Sequence, residues 1–60
     1  MIKITKNHNF PQYFHICIGG FFYDQVKGRA KAMRLAKKLC DERDEELFMF
    51  EGFVINKNGE

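Results

Sequence analysis

Sixty residues with a formal net charge of +2 allow one domain, and 45% apolar residues with seven Phe exclude a disordered tail. The chain has no Ser, which excludes a serine nucleophile, and its two cysteines are too few for a disulfide framework and suit a reducing cytosol. A pI near 8.7 lies below the level that by itself argues for nucleic acid.

In chain order, IKITK (residues 2–6) alternates apolar and polar and predicts a short strand. NHNFPQ (7–12) predicts a loop from its Asn and Pro content. YFHICI (13–18) and FFYDQV (21–26) are aromatic and β-branched runs separated by Gly19-Gly20, the spacing of a tight hairpin whose turn needs positive φ. An unbroken two-residue turn sets Ile18 against Phe21, Cys17 against Phe22, Ile16 against Tyr23 and His15 against Asp24. One face then carries Phe14, Ile16, Ile18, Phe21 and Tyr23, and the helix is expected to cover it. The other carries Tyr13, His15, Cys17, Phe22 and Asp24.

A helix is predicted from about Gly28 to Arg43. Its apolar arc holds Ala32, Met33, Leu35, Ala36, Leu39 and Cys40, with Arg29 oddly placed near the middle of that arc. At about 100° per residue, Lys27, Lys31, Arg34 and Lys38 fall within roughly 60° of one another on the opposite side. ELFMF (46–50) predicts a returning strand, Glu51-Gly52 a turn, FVIN a last strand and KNGE a frayed tail.

The basic stripe has two readings. It is the wet side of an ordinary amphipathic helix, or it is a docking surface. The second has two supports, its single sign, with no i,i+4 acid–base pairs, and the segregation of five acids into DERDEE (41–46). Cations at the start of a helix and anions at its end oppose the helix dipole, at about 0.3–1 kcal/mol each. A direct nucleic-acid binder would use the stripe on phosphates and stack bases on Tyr13 and Phe22. No recognition motif for nucleic acid is present, and a surface with opposite poles suits a protein partner.

His8, His15, Cys17 and Cys40 lack the spacing of a zinc knuckle, and the faces separate Cys40 from the other cysteine. Free thiols, no metal and no cofactor are expected. His15, Asp24 and Cys17 read as a surface polar group without a cleft or oxyanion hole, so no enzyme activity is expected. The longest unbroken uncharged apolar stretch, Phe14 to Tyr23, falls far short of the roughly 20 residues that span a bilayer. MIKITKNHNF lacks a signal-peptide core. A cytoplasmic protein without a membrane role is expected.

One helix covers only one face of a sheet, yet residues 47–55 are apolar on both sides. Tyr13, Cys17, Phe22 and one set from residues 47–55 are thus left on an open face. A protein partner or a second copy covers that face, or residues 1–12 fold over it through Phe10. A core of this size supplies only about 3–5 kcal/mol, which also points to a partner.

The order YFHICIGGFFYDQV, GRAKAMRLAKKL, ELFMF, with a charge-polarised surface, resembles the small phage-encoded inhibitors of host machinery, of the anti-CRISPR or polymerase-inhibitor type. The resemblance extends over most of the chain, without a diagnostic motif. It implies a non-catalytic binder that obstructs a nucleic-acid-handling complex, in the host cytoplasm. The expected fold is a single α+β domain, residues 1–60. An antiparallel sheet of three to five strands carries one amphipathic helix on one face. The expected function is protein binding, through Lys27, Lys31, Arg34, Lys38, Tyr13 and Phe22, with direct nucleic-acid binding as the alternative.

Overall fold

Alternation in the first strand decides which way the sheet faces. In Ile2–Lys6 (β1), Ile2 and Ile4 are buried while Lys3 and Thr5 point to the other side. The computed structural model describes residues 1–59. After β1 the chain turns at Asn7, whose Oδ1 accepts hydrogen bonds from the N–H groups of Asn9 (2.9 Å) and Phe10 (3.1 Å). The following strands, Tyr13–Ile18 (β2) and Phe21–Lys27 (β3), form the expected hairpin. Gly19 and Gly20, at φ 59° and 87°, provide the two left-handed positions of its turn.

The helix, Arg29–Glu42 (α1), follows at once. Gly28 precedes it at φ 96°, a conformation that ends β3 and turns the chain across the sheet. Leu47–Phe50 (β4) and Phe53–Asn56 (β5) form a second hairpin around Glu51 and Gly52, at φ 51° and 85°. The five strands make one sheet in the order β3-β2-β1-β4-β5. Most pairs are antiparallel, but β1 and β4 run parallel, Ile2 opposite Phe48 and Ile4 opposite Phe50. The sheet is therefore mixed, because the helix carries the chain back to the end from which β1 starts.

All of α1 lies on one side. Ala32, Ala36, Leu39 and Cys40 are buried against Ile2, Ile4, Phe14, Ile16, Phe48 and Phe50. The two alanines let the helix axis approach the sheet closely. The Phe14 and Phe50 rings meet at a tilt of 43°, with 5.3 Å between centroids. The Arg29 guanidinium sits 4.5 Å from the centroid of Phe50. Its place in the apolar arc is thus explained by a cation–π contact.

Several expectations are corrected. The β2–β3 register slips by one residue between Ile16 and Cys17, so Ile16 faces Asp24 and His15 faces Gln25. Without this bulge Val26 would point to solvent and Gln25 into the core. With it, Val26 packs on the core and Gln25 reaches His15. Asp24 therefore leaves the face of His15. Phe21 and Tyr23, expected under the helix, are exposed. Residues 1–12 do not cover the second face, since β1 is the central strand and Phe10 is exposed. The tail is held where fraying was expected: the N–H of Lys57 donates to Glu46 O at 2.8 Å, and that of Gly59 to Asn56 O at 3.0 Å. Glu60, the last residue of that tail, lies outside the described residues.

Candidate functional site

The side of the sheet away from α1 is uncovered. Pairing register places Phe22, Cys17, Lys3, Met49 and Val54 in one row across all five strands. Beside it run Gln25, His15 and Thr5, then Lys27 and Tyr13. Leu47 and Asn56 lie on the other side of the first row. Phe22 is 64% exposed and Val54 59%, while Tyr13, His15, Cys17 and Met49 are half-buried by their neighbours. None of these strand residues carries a carboxylate, and Lys3 and Lys27 carry positive charge.

The polar corner of this face is locally ordered. His15 Nε2 lies 2.7 Å from Gln25 Oε1, and the Asn7 side-chain amide lies 3.3 Å from both. Where imidazole and Gln25 meet at Oε1, the imidazole nitrogen is the donor. The His15 ring also meets the Phe22 ring edge-on, at 5.7 Å. These contacts hold Phe22, an edge-strand aromatic, in place against the face.

The residues expected to bind a partner are divided between two surfaces. Lys31, Arg34 and Lys38 are exposed on α1. Lys27 is not on the helix. It ends β3, opposite Tyr13, and joins the open face with Tyr13 and Phe22. The four-residue stripe is thus three helix residues, separated from the aromatic rings by the thickness of the sheet and helix. Of residues 47–55, the set on the open face is Leu47, Met49 and Val54, while Lys3 was missed as a member of it. The alternation of IKITK carried that signal.

The acidic segment is partly neutralised. Asp41 pairs with Lys57 at 2.7 Å, and Glu45 lies 3.9 Å from the N-terminal ammonium. The hydrogen bond to Asp41 holds the Lys57 ammonium above its usual range. Burial, reinforced by Glu45, pushes the Cys40 thiol up. Cys40 Sγ faces Leu47 O at 3.8 Å beneath the helix, while Cys17 stands on the open face. Among the described residues no three His, Cys, Asp or Glu side chains gather as a metal site would require.

A cavity of about 350 Å³ lies at the end of the sheet between Thr5, Lys6, Asn7, His8, Pro11 and Glu51. The Glu51 carboxylate accepts the backbone N–H of Lys6 there, so it closes the β1–β4 junction. No helix among the described residues is long and apolar enough to cross a membrane. No protein-family model, curated protein or solved structure matches the chain.

Proposed function

We propose that this chain is a non-enzymatic binding protein that docks on a protein partner through the open face of its sheet. The observation that carries the reading is the uncovered row Phe22, Cys17, Lys3, Met49 and Val54, flanked by Tyr13 and Leu47. An uncovered sheet face with apolar side chains on both sides of Lys3 favours an interface, and exposed aromatics are the residues that dominate interface energetics. Lys3 at the centre of the face and Lys27 at its margin, with no carboxylate beside them on these strands, favour a partner surface that combines apolar and acidic groups. Covering such a surface obstructs it, which is the inhibitor or modulator role that the resemblance implies.

Direct nucleic-acid binding is less well supported by the placement of the residues. Stacking on Tyr13 and Phe22 would need a cationic groove beside the rings to follow the phosphates. Lys31, Arg34 and Lys38 lie on the opposite side of the domain, leaving Lys3 and Lys27 for that task. The helix cations are better suited to long-range steering of an acidic partner.

The test is a pull-down from host extract, read by mass spectrometry, with wild type, Phe22→Glu and a triple Gln variant of Lys31, Arg34 and Lys38. One protein retained by wild type and the triple variant and lost with Phe22→Glu supports the reading. Retention by Phe22→Glu with loss in the triple variant moves the site to the helix. A salt titration against single-stranded and duplex DNA addresses the alternative. Affinity falling steeply with salt and abolished by Phe22→Glu would establish the nucleic-acid reading.

A further inference from the structure

The two edges of the sheet are built differently. The β3 edge is blunted. The bulge at Ile16/Cys17 breaks its ladder, and Asp24 Oδ1 accepts the N–H of Gln25 at 2.7 Å, supplying that group with a partner from its own strand. Lys27 ends the strand with a charge. Natural sheets protect their edges from further pairing by such devices. The β5 edge, Phe53–Asn56, has none of them. It holds no charge, no proline and no bulge, and Phe53 and Val54 are 74% and 59% exposed.

Register shows which backbone groups of β5 are free to pair. Phe50 and Phe53 flank the two-residue turn, and the N–H of Lys57 donates to Glu46 O. In an antiparallel ladder the hydrogen-bonded positions alternate, so Phe53, Ile55 and Lys57 direct their backbone groups toward β4. Val54 and Asn56 direct theirs outward, away from the sheet, but the Asn56 carbonyl already accepts the N–H of Gly59 at 3.0 Å, so Val54 is the position with both groups free.

We propose that β5 pairs antiparallel with β5 of a second copy about a twofold axis through Val54, joining two sheets into one of ten strands. A twofold edge contact pairs only residues on the same face, so positions of like parity must meet. Centring on Val54 satisfies this rule and pairs its free N–H and C=O with those of its symmetry mate. It sets Val54 against its own symmetry mate and Phe53 against Ile55 of the second copy, twice. Each of these pairs is apolar on apolar. Phe53 and Ile55 lie on the helix side; Ile55 already packs against the core while Phe53 does not, so pairing gives Phe53 the cover it lacks. No like charges meet along the strand. The open face continues across the junction, so the dimer presents it twice. Four-residue edges bury less than the roughly 1,200 Å² of a standard interface, so the dimer dissociates in the range of about 10 μM to 1 mM.

Sedimentation equilibrium over that range tests the proposal, with Val54→Lys, Val54→Glu and an equimolar mixture of the two. Wild type should follow a monomer–dimer equilibrium. Each variant alone should dissociate at least about tenfold more readily, because like charges meet across the twofold axis. The mixture should recover a dimer by opposite-charge pairing, which excludes misfolding as the cause of the loss. A wild type that remains monomeric at 1 mM overturns the proposal. So does a wild-type dimer that both variants preserve, which would place the contact on another surface. Partner capture by the open face is read separately with Phe22→Glu, so the failure of either idea leaves the other standing.

Discussion

At Glu51 a side-chain bond opposes a backbone penalty. The residue sits at φ 51°, a left-handed position better suited to Gly, Asn or Asp, while its carboxylate accepts the N–H of Lys6 and its own N–H donates to Ile4 O at 2.9 Å. A hydrogen bond to a charged acceptor contributes about 1.5–3 kcal/mol when shielded and less at an exposed site such as this. Glu51→Gln should retain most of the stability. Glu51→Gly should lose the bond but relax the backbone, and Glu51→Ala should be the least stable, by about 1–2 kcal/mol. Urea midpoints give the order, and an alanine variant as stable as wild type would remove the role assigned to the carboxylate. The two thiols differ in the same local way. Cys17 should react with a thiol reagent in the native protein, and Cys40 only on unfolding, because it is buried under α1. Since the folded Cys40 thiol lies above its ordinary range, the unfolded chain loses this proton first as pH rises past about 8.5. Stability should therefore be full below that pH and decline through the alkaline range. The Lys57–Asp41 contact acts in the same direction at higher pH, since a raised amine holds its proton longer in the folded state. Cys40→Ala should start less stable at neutral pH and decline less from there, as urea midpoints between about pH 7 and 10 would show.

At the scale of elements, the β2–β3 bulge is a parity correction. Phe21 and Phe22 fit an unbroken two-residue hairpin, but Val26 fits it only with an extra residue on β3. Deleting Tyr23 should therefore be tolerated, since the remaining strand pairs without a bulge and Asp24, Gln25 and Val26 keep their partners. Amide cross-strand contacts between His15 and Gln25 in nuclear magnetic resonance spectra would persist, and their loss would refute this account. Strand order in the chain, both turns and the amphipathic helix were legible in the sequence because period and glycine placement are local. The bulge was written there too, in the opposing preferences of Gln25 and Val26, but reading it needed both ends of the strand weighed together. Lys27 was misplaced because a helical wheel extends to any neighbouring residue. Gly28 at φ 96° ends that periodicity before Arg29 begins. The β1–β4 pairing had no local signal, because it joins segments more than forty residues apart and depends on how the helix crosses the sheet.

For the whole molecule, the limiting quantity is how much one helix can cover. Five strands at about 4.8 Å spacing make a sheet roughly 19 Å across, and a helix about 10 Å wide covers half of it. Phe21, Tyr23 and Phe53 at the edges stay exposed for that reason, and the far face stays open. The core that remains is small, with Phe48 fully buried at its centre. Phe48→Ala should remove about 3–5 kcal/mol, comparable with the whole stability of a domain this size, and leave the chain unfolded by circular dichroism at 25 °C. A cooperative melt at wild-type temperature would mean that the packing around Phe48 is looser than its burial indicates.

The charge pattern acts on the same small margin. Lys31 and Arg34 are three residues apart on α1, and Arg34 and Lys38 four, so each pair repels its neighbour along one helix face. The first turn contains no acid and the last turn no base, the reverse of what the helix dipole favours. Surface replacements of this kind ordinarily change stability by no more than about 0.5 kcal/mol each. Replacing Lys31, Arg34 and Lys38 by Gln should therefore leave the fold intact and raise the urea midpoint slightly at low ionic strength. Added salt should stabilise wild type, because the Debye length shrinks to about 10 Å at 0.1 M and screens the repulsion, and should do less for the variant. Equal salt dependence in the two proteins would mean that the stripe is electrostatically idle. Under the proposed function, a stripe that lowers stability without packing against the sheet would serve to bring an acidic partner to the domain. If the proposed docking holds, the same three replacements should slow association of the partner more than they speed dissociation, because exposed charges act on the encounter and the proposed contact lies on the open face.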